Sequence, residues 1–355
     1  MSKLALSTIA FLLIASLAGC TFGHRYTPRD IPQLIRTLQG EDEIKRAEAS
    51  AILGNLGPSA VPALIDAIKT GDPKTREWGI YALSKIGPAA KETIPLLTEA
   101  LADETTAIRY EAARAIASIG PEAAEAAPAL IKAMDDEDWR MQYITTRALG
   151  CVHANSPDAI DSLVKALTLD RKKVRINAAN ALYDIGPNAK HALPALFKAL
   201  TEEEDEHVRG QVMRAIQAIG VGKDDIPALA AALDDSSWVV RQTASRLLKR
   251  FDADSIALLI EALQSERPEA RAEAAHTLGS MGADATQAVP ALIKLLDDSE
   301  MNVVTAATEA LGDIGPAAKE ALPALRGLSQ KHPQWNFDWL IKQSIEKIEG
   351  TYKEK

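Results

Sequence analysis

The sequence predicts an all-α fold, a superhelical solenoid of about ten helix pairs. Three observations carry that prediction. A Leu or Ile recurs at Leu53, Leu83, Ile116, Leu149, Leu182, Ile216, Leu248, Leu278 and Leu311, at spacings of 30, 33, 33, 33, 34, 32, 30 and 33 residues. Such a period over nine units is the signature of stacked helical repeats. A glycine follows at Gly57, Gly87, Gly120, Gly186, Gly220, Gly282 and Gly315, most often with proline behind it, and stops a helix each time. A first-turn proline then opens the next helix at Pro62, Pro95, Pro128, Pro194, Pro227, Pro290 and Pro323.

The stretch from Arg175 to Leu200 holds one whole unit. Ala178, Ala181, Leu182 and Ile185 fall at helical spacing, and Gly186 is expected to end that helix in the left-handed αL conformation. Pro187 cannot continue it, and Pro194 opens a second amphipathic helix. A short acidic turn completes the unit. The 47% apolar content is ample for a core, while 5% aromatics and abundant alanine suit close-packed helices better than a sheet. A chain of 355 residues would fill two or three ordinary domains, but the repeats override that prior.

Taken in order, residues 1–19 form a processing segment with Lys3 before the apolar run Leu4 to Leu17. Leu17-Ala18-Gly19-Cys20 resembles the bacterial lipoprotein signal, in which the cysteine is lipidated and becomes the first residue of the mature chain. The resemblance implies a cell-envelope protein with Cys20 as the lipidation site and a membrane held through that lipid. Thr21, in place of the Asp that retains such proteins at the inner membrane, leans toward the outer membrane, facing the periplasm. Residues 20–29 read as a lipidated tether, 30–350 as the solenoid and 351–355 as a tail. Removing the signal leaves 39 Lys and Arg against 49 acids. An acidic chain argues against nucleic acid as a partner, whose binders carry a basic footprint. Cys151 is then an unpaired thiol in an exported protein, expected to behave as a small hydrophobe.

The repeated residues resemble the HEAT repeat, in the short bacterial form also found in phycobilisome-lyase-like proteins, across about residues 30 to 350. That resemblance implies a convex row of first helices and a concave row of second helices, each second helix being the one that ends at the glycine. Two units depart from it. CysValHisAlaAsnSerPro (151–157) and LysArgPheAspAlaAsp (249–254) stand where Gly-Pro is expected, so each is expected to change the local geometry. Trp335, Phe337 and Trp339 are expected to cap the last core.

With the index residue as position 0, a helical wheel places −8, −4, −1, 0 and +3 on the core face. Two arginine series then separate. Position −7 borders the core and holds Arg46, Arg76, Arg109, Arg175, Arg209, Arg241 and Arg271, broken by Gln142 and Val304. HEAT arrays carry an Asp–Arg ladder between repeats, which makes this series structural, with Asp103–Arg109 and Asp235–Arg241 as fitting pairs. Position −2, nearly opposite the core, holds Tyr81, Arg114, Arg147, Asn180, Arg214, Arg246, His276 and Glu309, and position +2 adds Lys85 and Arg250. Trp78, Tyr110 and Tyr143 flank the N-terminal half of this concave basic stripe. An acidic or phosphate-bearing protein segment is the partner it suits. Trp139 and Trp238 enter their helices at the same position, after acidic turns, and are expected to cover the ridge of turns.

Enzyme signatures are missing from the sequence. Six histidines show no metal-ligand spacing, and there is no nucleophile elbow, phosphate-cradling glycine loop or dinucleotide fingerprint. Pairs such as Asp135-Asp136, Asp234-Asp235 and Asp297-Asp298 recur at one turn, which assigns them to helix connection. No cofactor and no metal site is expected. The reading is a non-catalytic, lipid-anchored scaffold that binds another protein; the lyase-like resemblance implies an alternative, an accessory factor of an enzyme or chromophore-attachment system.

Overall fold

The computed structural model describes residues 26–331 and 337–352. The signal segment, Cys20 and Trp335 lie outside the described residues. Every described segment of regular structure is helical.

The helices fall into two compact units that meet in sequence at Ile185–Gly186. The first holds α1 (Ile31–Leu38), α2 (Glu43–Leu56), α3 (Val61–Thr70), α4 (Pro73–Ile86), α5 (Ile94–Ala100), α6 (Thr106–Ile119), α7 (Ala127–Ala133), α8 (Trp139–Cys151), α9 (Pro157–Ala166) and α10 (Lys172–Ile185). The second holds α11 (Leu193–Glu202), α12 (Glu206–Ile219), α13 (Ile226–Ala231), α14 (Trp238–Leu248), α15 (Ala253–Ala262), α16 (Pro268–Ser280), α17 (Val289–Leu295), α18 (Met301–Ile314), α19 (Leu322–Lys331) and α20 (Asp338–Glu349). Every odd-numbered helix except α15 has a proline in its first turn, and the even-numbered helices α2 to α18 carry the index residues.

All nine index residues are fully buried, as are Val174 and Ala178 beside Leu182. Each buried Leu or Ile contributes roughly 1.5–3 kcal/mol relative to exposure, so the repeating column is the main source of cohesion. Small residues set how closely the even helices approach. A Cβ on Gly150 would stand 2.9 Å from the Ala181 Cα in the first unit, and one on Gly279 would stand 2.6 Å from the Ala310 Cα in the second.

The helix stop differs from the expected αL form. Gly57, Gly87, Gly120 and Gly315 have φ between 68° and 81°, but their ψ lies between −136° and −145°. At these four the following proline accounts for it, because its ring excludes helical conformations from the residue before it. Gly220, followed by Val221, also has an extended ψ, at φ 86° and ψ 130°. A glycine with positive φ and extended ψ turns the chain directly into the 3₁₀ segment that precedes the next odd helix, a region of φ/ψ space left almost wholly to glycine. Gly350, which no proline follows, has the αL values of φ 73° and ψ 21°. In the two departing units a side chain does the glycine's work: His153 has φ 52°, and Asp252 has φ 43° with ψ −123°.

The C-terminal cap is made by fewer aromatics than expected. Phe337 is buried, but Trp339 is 66% exposed. Leu340, Ile341, Ser344 and Ile348 form the buried face of α20. Trp339 lies some 100° before Leu340 on the wheel and therefore points to the other side.

Candidate functional site: an aromatic and basic face on the even helices

The −7 arginines reach forward across repeats. In the first unit Arg76 lies 2.8 Å from Asp103, Arg109 2.7 Å from Asp136 and Arg46 3.5 Å from Asp72. In the second, Arg209 and Arg271 each lie 2.8 Å from Asp235 and Asp298. The same guanidinium groups donate backward to backbone. Arg109 Nη1 bonds the Asp103 and Glu104 carbonyls, and Arg241 Nη1 those of Asp235 and Ser236. The pairs read from the sequence, Asp103–Arg109 and Asp235–Arg241, are therefore corrected. Each arginine takes the backbone carbonyl of that aspartate, while the carboxylate goes to the arginine one repeat earlier.

Local turn chemistry enforces this choice. Asp103, Asp136, Asp235 and Asp298 each accept from the N–H two residues on, at 2.7 to 3.0 Å, which pins the carboxylate at its own turn, where the arginine one repeat earlier reaches it. The carbonyls at the end of the odd helix have no helical donor and are left for the arginine. Burial raises the Asp298 pKa, but Arg271 and the Glu300 N–H outweigh it and hold the carboxyl below the usual range. Arg175 bonds the Leu169 and Asp170 carbonyls, both at 2.9 Å.

The −2 face of the first unit gathers aromatic and cationic side chains one helical turn apart: Tyr81 and Lys85 on α4, Tyr110 and Arg114 on α6, Tyr143 and Arg147 on α8. The Arg114 guanidinium stacks 4.5 Å from the Tyr81 ring centre, the Lys85 Nζ lies 5.4 Å from it, and Trp78 meets Tyr81 edge-on at 5.5 Å. Arg114 also donates to the Ser84 hydroxyl at 2.9 Å and lies 3.1 Å from Glu111. Its charge is thus largely engaged within the chain. Arg147 is exposed.

In the second unit Arg214 and Arg246 are exposed, with Gln211 and Gln242 oxygens at 3.2 and 3.5 Å. α14 ends at Leu248 and continues into the 3₁₀ turn Lys249–Phe251, where Arg250 is exposed.

Between the first turns of α6, α8 and α10 lies a groove of about 450 Å³, lined chiefly by Tyr110, Glu111, Trp139, Arg140, Tyr143 and Lys173. Trp139 is 38% exposed there, with the Arg171 guanidinium 5.8 Å from its ring. Arg140 is held by Asp138, with Nε 3.0 and 3.1 Å from the two oxygens. Glu111 at the floor is largely buried, and its Oε2 makes no hydrogen bond despite the proximity of Arg114. Burial raises its pKa to about 7, against the opposing pull of Arg114. Burial is the largest effect, with Glu77 adding to it and Arg114 and Lys85 opposing it. A smaller groove of about 340 Å³ in the second unit has Trp238 and Val239 as its wall, with Gln211 and Arg214 opposite.

The HEAT repeats family matches six overlapping stretches, residues 31–117, 94–183, 126–217, 168–249, 226–287 and 256–342. The chain belongs to the HEAT-repeat family. The crystal structure of an engineered protein, a structural-genomics target, is similar to this HEAT array over 92% of this chain and 100% of its own. Its TM-score is 0.52 at 23% identity, a likeness of fold alone. No curated protein matches the chain. HEAT arrays commonly serve as protein-binding scaffolds, and the fold itself names no partner.

Among the described residues of this HEAT array, no three His, Cys, Asp or Glu side chains gather as ligands for a metal ion. Cys151 is a half-buried thiol. Sequence reasoning passed over Glu111 and the groove. Glu111 sits at −5, where an acidic residue reads as ordinary helix surface. Trp139 and the two tyrosines were visible separately, but their convergence needs the offset between neighbouring helices, which no single wheel contains.

Proposed function

We propose that this HEAT array is a non-catalytic scaffold, held at the bacterial cell envelope by a lipid on Cys20, that binds an acidic segment of another protein. The observation that carries the reading is the triple repetition of a tyrosine and a cation one turn apart on α4, α6 and α8, ending at the exposed Arg147. Tyrosine and arginine are the residue types that concentrate binding energy at protein interfaces. Guanidinium groups add charge-assisted, directional hydrogen bonds to carboxylates. Arg214 and Arg246 offer the same chemistry within the second unit. Thr21 behind Cys20 favours the outer membrane, with the array in the periplasm.

The test is affinity capture from detergent-solubilised envelope with wild-type protein and with Arg147→Glu and Tyr143→Ala variants. A discrete protein captured by the wild type and lost with both variants, at unchanged helical content, is the expected result. Equal capture by all three sinks the assignment of this face. The anchor is tested separately, since Cys20→Ala should move the protein from the membrane to the soluble fraction.

A further inference from the structure

We infer that the groove formed by Tyr110, Trp139 and Tyr143 receives an aromatic side chain of an acidic peptide. This rests on the proposed role of the Arg147 face and adds to it an anchoring pocket. The groove is of the size that ligand pockets occupy, about 300–1,000 Å³, at about 450 Å³. Three rings line it, and Trp139 keeps 38% of its surface exposed although it is the largest side chain present. Stacked or edge-on rings fill such a slot better than aliphatic chains do.

The charges around the slot decide what flanks the anchor. Asp138 engages Arg140, and Arg114 stands beside Glu111. Arg171 already occupies a place over the Trp139 ring. Lys173 at the rim is exposed, and so is Arg147, one turn along α8 from Tyr143. The N-terminal turns of α8 and α10 add positive potential at the same mouth. A cationic side chain entering here meets Arg140, Arg171 and Lys173, whereas a carboxylate beside the anchor meets Lys173 on the lining, and the peptide beyond it reaches Arg147 one turn along α8.

The experiment uses the purified full chain and a fluorescein-labelled peptide of acidic residues around one central phenylalanine, beside the same peptide with a central alanine. Fluorescence polarisation should give the phenylalanine peptide at least about tenfold tighter binding. Trp139→Ala and Tyr143→Ala should each abolish that preference, Trp139→Phe should retain it, and Arg147→Glu should weaken both peptides alike. Melting curves establish that the variants are folded. Equal binding of the two peptides by wild type overturns the pocket while leaving the Arg147 face standing. Binding of neither peptide, or binding only of vesicles of anionic phospholipid, overturns both.

Discussion

Arg109 spans two repeats: its Nη1 donates to the Asp103 carbonyl at 2.8 Å while its Nη2 lies 2.7 Å from the Asp136 carboxylate. One side chain therefore closes the end of its own repeat and ties it to the next. Both contacts are partly buried, so Arg109→Ala leaves carbonyls and a carboxylate short of donors. Its expected cost is about 2 kcal/mol in urea denaturation. Arg147→Ala, in the exposed series, should cost within about 0.5 kcal/mol. Similar costs for the two would undo the division of the arginines into a structural and a binding series.

The reasons that the ladder was half legible are physical. A period-33 column of arginines beside the core follows from the wheel, and so do Leu53, Leu182 and the other buried index residues. The partner of each arginine does not, because Asp103 offers a carbonyl and a carboxylate to two different arginines. The choice depends on the turn that binds its Oδ1 to the Thr105 N–H. The groove was less legible still. Tyr110 and Tyr143 share a wheel position, but Trp139 and Lys173 reach them from helices whose relative height is set by packing and not by pattern.

A break in the ladder yields a second prediction. Arg241 is only 8% exposed, and its Nε is buried without an acceptor. At the turn one repeat on, Ser265 stands where Asp235 and Asp298 stand in theirs, and its hydroxyl bonds the Asp234 carboxylate at 2.6 Å. Ser265→Asp supplies the missing carboxylate, though it also places a charge near Asp234. The expected net gain is about 1 kcal/mol. In an Arg241→Met background the gain should disappear, and a double-mutant cycle reads the coupling directly.

Asp252 carries the backbone load of a missing glycine. Its φ of 43° and ψ of −123° are values that side chains with a Cβ rarely adopt. Its carbonyl accepts from Ser255, a contact that a substitution at the side chain preserves. Asp252→Gly relieves about 1–3 kcal/mol of strain and returns up to about 1 kcal/mol through the greater freedom of the unfolded chain. A net gain of about 1 kcal/mol is expected, seen as a higher denaturation midpoint. A loss of stability would mean that the carboxylate has a role which its conformation does not reveal.

Glu111 gives the chain a pH dependence near neutrality. Burial lifts its pKa from 4.5 to about 7, the like charge of Glu77 adds to that, and Arg114 and Lys85 oppose it. A carboxyl raised on folding favours the folded state while protonated. Its contribution is full below about pH 4.5 and is lost as pH rises through about 7, at most about 3 kcal/mol in all. Glu111→Gln keeps a neutral group of the same shape at every pH. The variant should therefore exceed wild type by about 2 kcal/mol at pH 8 and match it at about pH 4, measured by urea denaturation at both values. An advantage that does not change with pH would show that Arg114, and not burial, governs the protonation of this side chain.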